Sequence, residues 1–163
     1  MAIQRTALLV LALFAGSLPA FAGGVVRVNV VQAEQFSDIG RGVVERERNL
    51  ALVTDHLKTL GQRLPDGQVL TIEVLDVDLA GEVWPTQRFG EMRILRGSAD
   101  WPRMHLRWTL QAGGRTLRSG DDRLSDAAYL MTSARLGMNQ ALAYDLRMLD
   151  DWFRKTFAAK AQH

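Results

Sequence analysis

The chain has 163 residues, with 20 Lys and Arg, 18 Asp and Glu, three His and no cysteine. The lack of cysteine excludes a disulfide-stabilised scaffold, thiol chemistry and a lipid-acylated anchor. A formal net charge of +2 argues against general polyanion binding.

Residues 1–22 have the pattern of a secretory signal peptide. Arg5 supplies a basic start, residues 7–15 are apolar, and Ala20-Phe21-Ala22 has the small-x-small form that signal peptidase recognises. The pattern predicts cleavage after Ala22 and a periplasmic or secreted protein made of residues 23–163, a single globular domain by its length. An apolar core of about ten residues is shorter than the roughly 20 that span a bilayer, so we expect no transmembrane segment after cleavage.

The first predicted elements of the mature chain are a strand and a long helix. Val26, Val28 and Val30 alternate with polar residues, as in a half-buried strand. Apolar residues then recur at mostly three- and four-residue steps, which predicts one long amphipathic helix over about 41–63. The Leu-Pro-Asp-Gly sequence at 64–67 ends it.

The middle of the chain predicts four further strands. In residues 69–79 the apolar side chains fall on one face of a regular strand up to Val74 and on the other face from Leu75 onward. This change predicts a β-bulge near Val74 and Leu75 that turns all of them toward the core. Residues 80–85 are typical of a loop, and Met92 and Ile94 indicate the next strand. Apolar and polar residues alternate over 103–110, which predicts a strand. A Gly-Gly turn then leads into a last strand at about 115–120, so the two strands form a hairpin.

The C-terminal part predicts two helices. A short helix carries Tyr129 and Leu130, a loop surrounds Gly137, and a last helix runs from Leu142 to Phe157. The element order predicts an α+β fold: a single sheet of about five mostly antiparallel strands, with one long N-terminal helix and the C-terminal helices packed on one face.

Several segments of the mature chain together resemble a bacterial family called domain of unknown function 3016. They are EQFSD at 34–38, LDVDLAG at 75–81, DWPR at 100–103, SDAAYL at 125–130 and YDLRMLDDWF at 144–153. The resemblance implies an exported protein and carries no assigned activity. The chain departs from the family pattern at Asp145-Leu146, where the family shows Glu-Lys, and at Ala127-Ala128, where it shows Met-Asn.

Asp76 and Asp78 are the sharpest polar feature. Residues two apart on a strand project from the same face, roughly 7 Å apart. The pair is a weak candidate for a cation site or for acid and base groups of a hydrolase. The alternative is structural, with both carboxylates paired to arginines of neighbouring strands.

A second candidate is a basic stripe formed by Arg103, His105 and Arg107, which alternate with apolar residues of one strand. Such a stripe suits anionic lipid headgroups, a cell-wall polymer or an acidic envelope protein. The alternative is a solvated sheet face whose charges pair with Glu73, Asp76, Asp78, Asp121 and Asp122.

The tryptophans divide into two groups. Trp108 and Trp152 fall on apolar stripes and are predicted to pack in the core. Trp84 and Trp101 each adjoin a proline in a predicted loop, so they are the candidates for contact with a ligand or partner.

The sequence favours a non-catalytic binding or accessory domain of the cell envelope, with a hydrolase or metal enzyme at Asp76 and Asp78 as the alternative. It has no nucleophile elbow, no paired histidines at metal-ligand spacing and no phosphate loop, and it predicts no cofactor and no nucleic-acid partner. A third hypothesis is a carrier that holds an apolar ligand between helix and sheet.

Overall fold

A computed structural model describes residues 23–88, 90–97, 99–131 and 142–157. The described elements are six strands and two α-helices, with 3-10 turns at Ala33–Gln35 and Leu60–Arg63. In chain order they are β1 (Val25–Val30), α1 (Val43–Thr59), β2 (Gln68–Asp78), β3 (Glu82–Thr86), β4 (Gly90–Ile94), β5 (Arg103–Ala112), β6 (Arg115–Ser125) and α2 (Ala143–Phe157).

The main sheet has four strands in the order β1-β2-β5-β6. β1 runs parallel to β2, and α1 provides the long crossover that a parallel pair requires. β2 with β5, and β5 with β6, are antiparallel. The fold is therefore α+β with a mixed sheet.

The core lies between one face of this sheet and both helices. Leu70, Ile72 and Leu106 of the sheet are fully buried, as are Leu57 of α1 and Leu149 of α2. The alternating burial of β5 and the apolar stripe of α2 follow the sequence periodicity. Packing of both helices on a single sheet face agrees with the prediction.

The predicted bulge in β2 is present. The pairing of β2 with β5 shifts between Val74 and Asp76, so Leu75 is the extra residue. Val74 and Val77 on either side are buried. Leu75 itself is only half-buried, which corrects the expectation that it would join the core.

Two predictions about the strands were wrong. The sheet has four strands rather than five, because the strand at Met92 belongs to a separate two-stranded hairpin, β3-β4. Residues 80–85, predicted as a loop, include most of β3. Pro85 has no N–H to donate, and a strand with only one neighbour tolerates that loss.

The helices also differ from the prediction. In place of one long helix over 41–63, α1 ends at Thr59 and the chain tightens into a 3-10 turn. Gly61 lies in this turn and packs closely against the chain before β1, where an added Cβ would be 2.9 Å from the Gly24 carbonyl oxygen. The predicted short helix is a series of turns around the buried Tyr129, and Gly137 lies outside the described residues.

Candidate functional site

A cleft of about 690 Å³ opens beside the end of β2. One wall is the segment 33–41, another is β3, and the segment 99–101 closes one end. The cleft brings together three residues singled out from the sequence, namely Trp84, Trp101 and Asp78. They come from three separate parts of the chain.

The first wall is positioned by backbone pairing with β2. After β1 ends, the chain makes a short excursion and returns so that the Asp38 N–H donates to the Val77 carbonyl at 2.9 Å. The Leu79 N–H donates in turn to the Asp38 carbonyl at 3.1 Å. Asp38 and Asp78 therefore lie side by side in a parallel bridge, with Leu75 bulged just before it.

Each of these neighbouring carboxylates has an arginine partner. Arg93 of β4 lies 2.9 Å from Asp38, and it also donates at 2.8 Å to the Gly81 carbonyl. Arg103 of β5 lies 2.8 Å from Asp78. Burial raises the pKa of Asp78, the hydrogen bond and charge of Arg103 oppose that rise, and the nearby Asp38 adds to it.

Asp76 lies on the same face of β2 as Asp78, as predicted, but it does not line the cleft. Its carboxylate accepts the Ser37 backbone N–H at 2.7 Å and the Ser37 hydroxyl at 2.9 Å. The two aspartates thus have different partners, a serine and an arginine. Within the described residues no group of three or more His, Cys, Asp and Glu side chains is placed to hold a metal ion.

Both tryptophans of the cleft have an arginine over the ring, and Trp84 lies in β3 instead of the predicted loop. The Arg96 guanidinium carbon lies 3.9 Å from the ring centroid of Trp84, whose side chain is 41% exposed. The Trp84 indole N–H donates to Glu82 at 3.1 Å. Trp101 is half-buried, and Arg103 lies 4.6 Å from its ring centroid. Arginine above an indole is a cation–π contact that fixes the ring orientation.

The basic stripe lies on the outer face of the main sheet, away from the helices. His105 Nε2 is 2.6 Å from Asp121, and Arg107 bridges Asp121 at 3.2 Å and Glu73 at 3.5 Å. The hydrogen bond from His105 lowers the pKa of Asp121, with Arg107 adding to the effect. With Arg103 paired to Asp78, every member of the stripe has a carboxylate partner.

Comparison with known proteins identifies the family. A family model described as a protein of unknown function (DUF3016) matches residues 24–155. The chain belongs to this family. The match confirms the resemblance seen in the sequence. No curated protein and no solved structure matches the DUF3016 chain. Its described residues form no helix that is both long and apolar enough to cross a membrane.

Sequence reasoning missed three polar residues that support the cleft in this DUF3016 chain. Asp38 and Arg93 tie the segment 33–41 to the β3-β4 hairpin. Asp145 of α2 is 2% exposed and accepts the backbone N–H of Ala80 at 3.0 Å, directly behind the cleft. Burial raises the pKa of Asp145 to about 6, against the opposing effect of the Ala80 hydrogen bond. The sequence signal available was the departure from the family pattern at Asp145.

Asp100 and Tyr129 hold the end of the cleft. The Asp100 carboxylate accepts the Arg96 N–H at 2.6 Å, and the Asp100 carbonyl accepts the Gly81 N–H at 2.8 Å. The hydroxyl of the buried Tyr129 accepts the Gly97 N–H at 3.2 Å, and burial raises its pKa to about 12. These contacts fix the segment that carries Trp101.

Proposed function

We propose that this DUF3016 protein is a non-catalytic binding domain of the cell envelope and that the cleft beside Trp84 and Trp101 receives its partner. The observation that carries the proposal is that the two tryptophans singled out from the sequence line one cleft of about 690 Å³. This volume is in the range of protein ligand sites. Aromatic side chains of this kind concentrate binding energy at interfaces.

The cleft is a better candidate than the basic stripe because the stripe is already neutralised. A lipid headgroup or acidic polymer at Arg107 would have to displace Asp121 and Glu73. His105 is likewise engaged by Asp121. These carboxylates offset the positive charge of the stripe, which weakens its attraction for an anion.

The partners of Asp76 and Asp78 support a binding role over the hydrolase or metal alternative. Asp76 holds Ser37 in the wall of the cleft, and Asp78 holds Arg103, which in turn covers Trp101. Both carboxylates thus have a structural role in the cleft.

The signal-peptide pattern of residues 1–22 supports the envelope location. The backbone N–H of Gly23 donates to the Asp66 carboxylate. If cleavage follows Ala22, this nitrogen becomes the α-amino group, and the hydrogen bond becomes an ion pair. Mass spectrometry of the protein from a periplasmic fraction tests the location, with residues 23–163 as the expected species. Recovery of the full 163-residue chain in the cytoplasm would contradict it.

Site-specific photo-crosslinking tests the binding site. A benzoylphenylalanine placed at Trp84 should form adducts with an envelope component in living cells. The same probe at Leu117, an exposed apolar residue of β6, is the matched control and should form none. Trp101→Ala should reduce the adduct formed from position 84 at least threefold. Equal adduct formation from positions 84 and 117, or none from either, would contradict the proposal.

A further inference from the structure

The wall of the cleft formed by β3 is a strand edge. Four consecutive residues of β3, 82–85, line the cleft, whereas no residue of β4 does. Side chains alternate between the two faces of a strand, so a hairpin face would contribute every second residue of both strands. Consecutive residues from β3 alone mean that its edge borders the cleft.

No described strand pairs with this edge of β3 along residues 82–85. β3 pairs with β4 from Glu82–Ile94 to Thr86–Gly90, and no other described strand pairs with it. Unpaired N–H and C=O groups along an edge are a template for another extended chain. Pro85 contributes only a carbonyl, so the donors must come from the first part of the strand.

The hairpin is held so that its free edge stays open to the cleft. Arg41 lies 3.0 Å from Glu91, and Arg93 lies 2.9 Å from Asp38. Glu91 and Arg93 are two apart on β4, so both belong to one face of the hairpin. That face is fastened to the segment 33–41, which leaves the edge of β3 free.

The charges in the cleft are unbalanced toward the negative. Five carboxylates line it, Glu34, Asp38, Asp78, Glu82 and Asp100, against the two arginines Arg41 and Arg46. Arg93 and Arg103 neutralise Asp38 and Asp78, and Glu91 neutralises Arg41. Glu34 and Glu82 form no ion pair among the described residues, and neither do Arg46 in the lining and Arg96 on the Trp84 ring.

We propose that the cleft binds an extended, basic segment of a partner protein, which adds to the free edge of β3 as a third strand. The main-chain hydrogen bonds to β3 give affinity, and alternate side chains of the segment contact Trp84 and the acidic residues Glu34 and Glu82. This inference rests on the proposed function of the cleft. A saccharide is disfavoured because arginine already covers one face of each indole.

Selection from a phage-displayed library of random 12-residue peptides tests the inference on the purified protein. The selected peptides should be rich in β-branched residues and carry Lys or Arg. Glu34→Gln combined with Glu82→Gln should weaken the best peptide at least threefold, and Trp84→Ala with Trp101→Ala at least tenfold. Asp55→Asn, at an exposed position of α1 that lines neither the cleft nor the groove beside Glu34, is the control and should leave binding unchanged.

Methylation of single peptide nitrogens identifies the binding mode. Strand addition predicts a period of two, with methylation at every second position weakening binding at least tenfold and the positions between tolerating it. Peptides that need Trp84 and Trp101 but lack this period or lack basic residues would overturn the inference and leave the binding cleft intact.

Peptidoglycan whose stem peptides have been removed enzymatically serves as the saccharide probe. Binding that depends on Trp84 and Trp101, with no peptide selected at the cleft, would overturn strand addition while supporting the proposed function. If neither the peptides nor the peptidoglycan depend on the two tryptophans, both the inference and the proposed function fail.

Discussion

Asp145 accepts the backbone N–H of Ala80 at 3.0 Å and so joins α2 to the end of β2 across 65 residues of chain. Ala80 precedes Gly81, whose carbonyl binds Arg93, and Arg93 binds Asp38. These contacts, from the buried Asp145 through Arg93 to the half-buried Asp38, connect the helix layer to the wall of the cleft.

The stability of the protein should depend on pH through Asp145. Because burial raises its pKa to about 6 in the folded state, the folded protein binds this proton more tightly than the unfolded chain does. Its stabilising contribution is present at low pH and is lost as the pH rises through about 6. At one pKa unit per about 1.4 kcal/mol, the loss between pH 4.5 and 7.5 is on the order of 2 kcal/mol.

Asp145→Asn keeps a carbonyl oxygen for the Ala80 N–H and removes the titration. Relative to wild type, the variant should gain about 2 kcal/mol of unfolding free energy when the pH is raised from 4.5 to 7.5. Urea unfolding of both proteins at the two pH values measures this difference. A difference that stays constant with pH would show that Asp145 does not titrate in this range.

Asp122 should be required for the packing of two core tryptophans. One of its carboxylate oxygens accepts the indole N–H of Trp108 at 2.8 Å and that of Trp152 at 2.9 Å. Asp122→Ala leaves both buried donors without an acceptor, at a cost of about 1–3 kcal/mol for each. Asp122→Asn retains one carbonyl oxygen and should cost less.

Chemical denaturation and the indole signals in a ¹H–¹⁵N spectrum check this prediction. In Asp122→Ala both indole N–H signals should shift, and the unfolding free energy should fall by more than in Asp122→Asn. Equal stability of the alanine variant and wild type would mean that water replaces the carboxylate.

Gly120 should tolerate no side chain because the indole of Trp108 packs against it. A Cβ added at Gly120 would lie 2.7 Å from two ring carbons of Trp108. Overpacking of this kind costs about 1–3 kcal/mol, so Gly120→Ala should lower the midpoint of urea unfolding. Ser119→Ala, at the exposed neighbouring position, is the matched control and should change stability by less than about 0.5 kcal/mol.

The cause of the Gly120 effect is tested by a double variant. Trp108→Phe removes the part of the ring nearest the added methyl group. Gly120→Ala should therefore cost less in the Trp108→Phe background than in wild type. An unchanged cost would place the clash on the backbone of β6 instead of on the indole.

The elements that the sequence predicted well are those with long, regular periodicity. β5 alternates over residues 103–110 and α2 has a continuous apolar stripe, so burial of one face determines both. The β3-β4 hairpin was mispredicted because five-residue strands with a proline give little periodicity, and alternation does not say which sheet a strand joins.

The candidate site was predictable only as separate residues. Trp84 and Trp101 could be chosen from their proline neighbours, and Asp78 from its strand position, but nothing local places the three in one cleft. The contacts of Asp38 with Arg93 and of Asp145 with Ala80 were not predictable, because they cross 55 and 65 residues of chain and depend on how the hairpin and α2 dock. Tertiary packing decides such contacts.

Deleting Leu75 should be tolerated far better than deleting Glu73. Val74 and Asp76 oppose Leu106 and His105, which are adjacent on β5, so loss of the bulged Leu75 leaves a regular ladder with every side chain on its present face. Loss of Glu73 makes Ile72 and Val74 adjacent and turns one part of β2 to the wrong face. Both residues are half-buried.

The Leu75 deletion should unfold cooperatively in urea, with a loss of unfolding free energy on the order of 2 kcal/mol, whereas the Glu73 deletion should show no cooperative transition. Equal damage from the two deletions would mean that the bulge itself is required by the neighbouring segment 33–41.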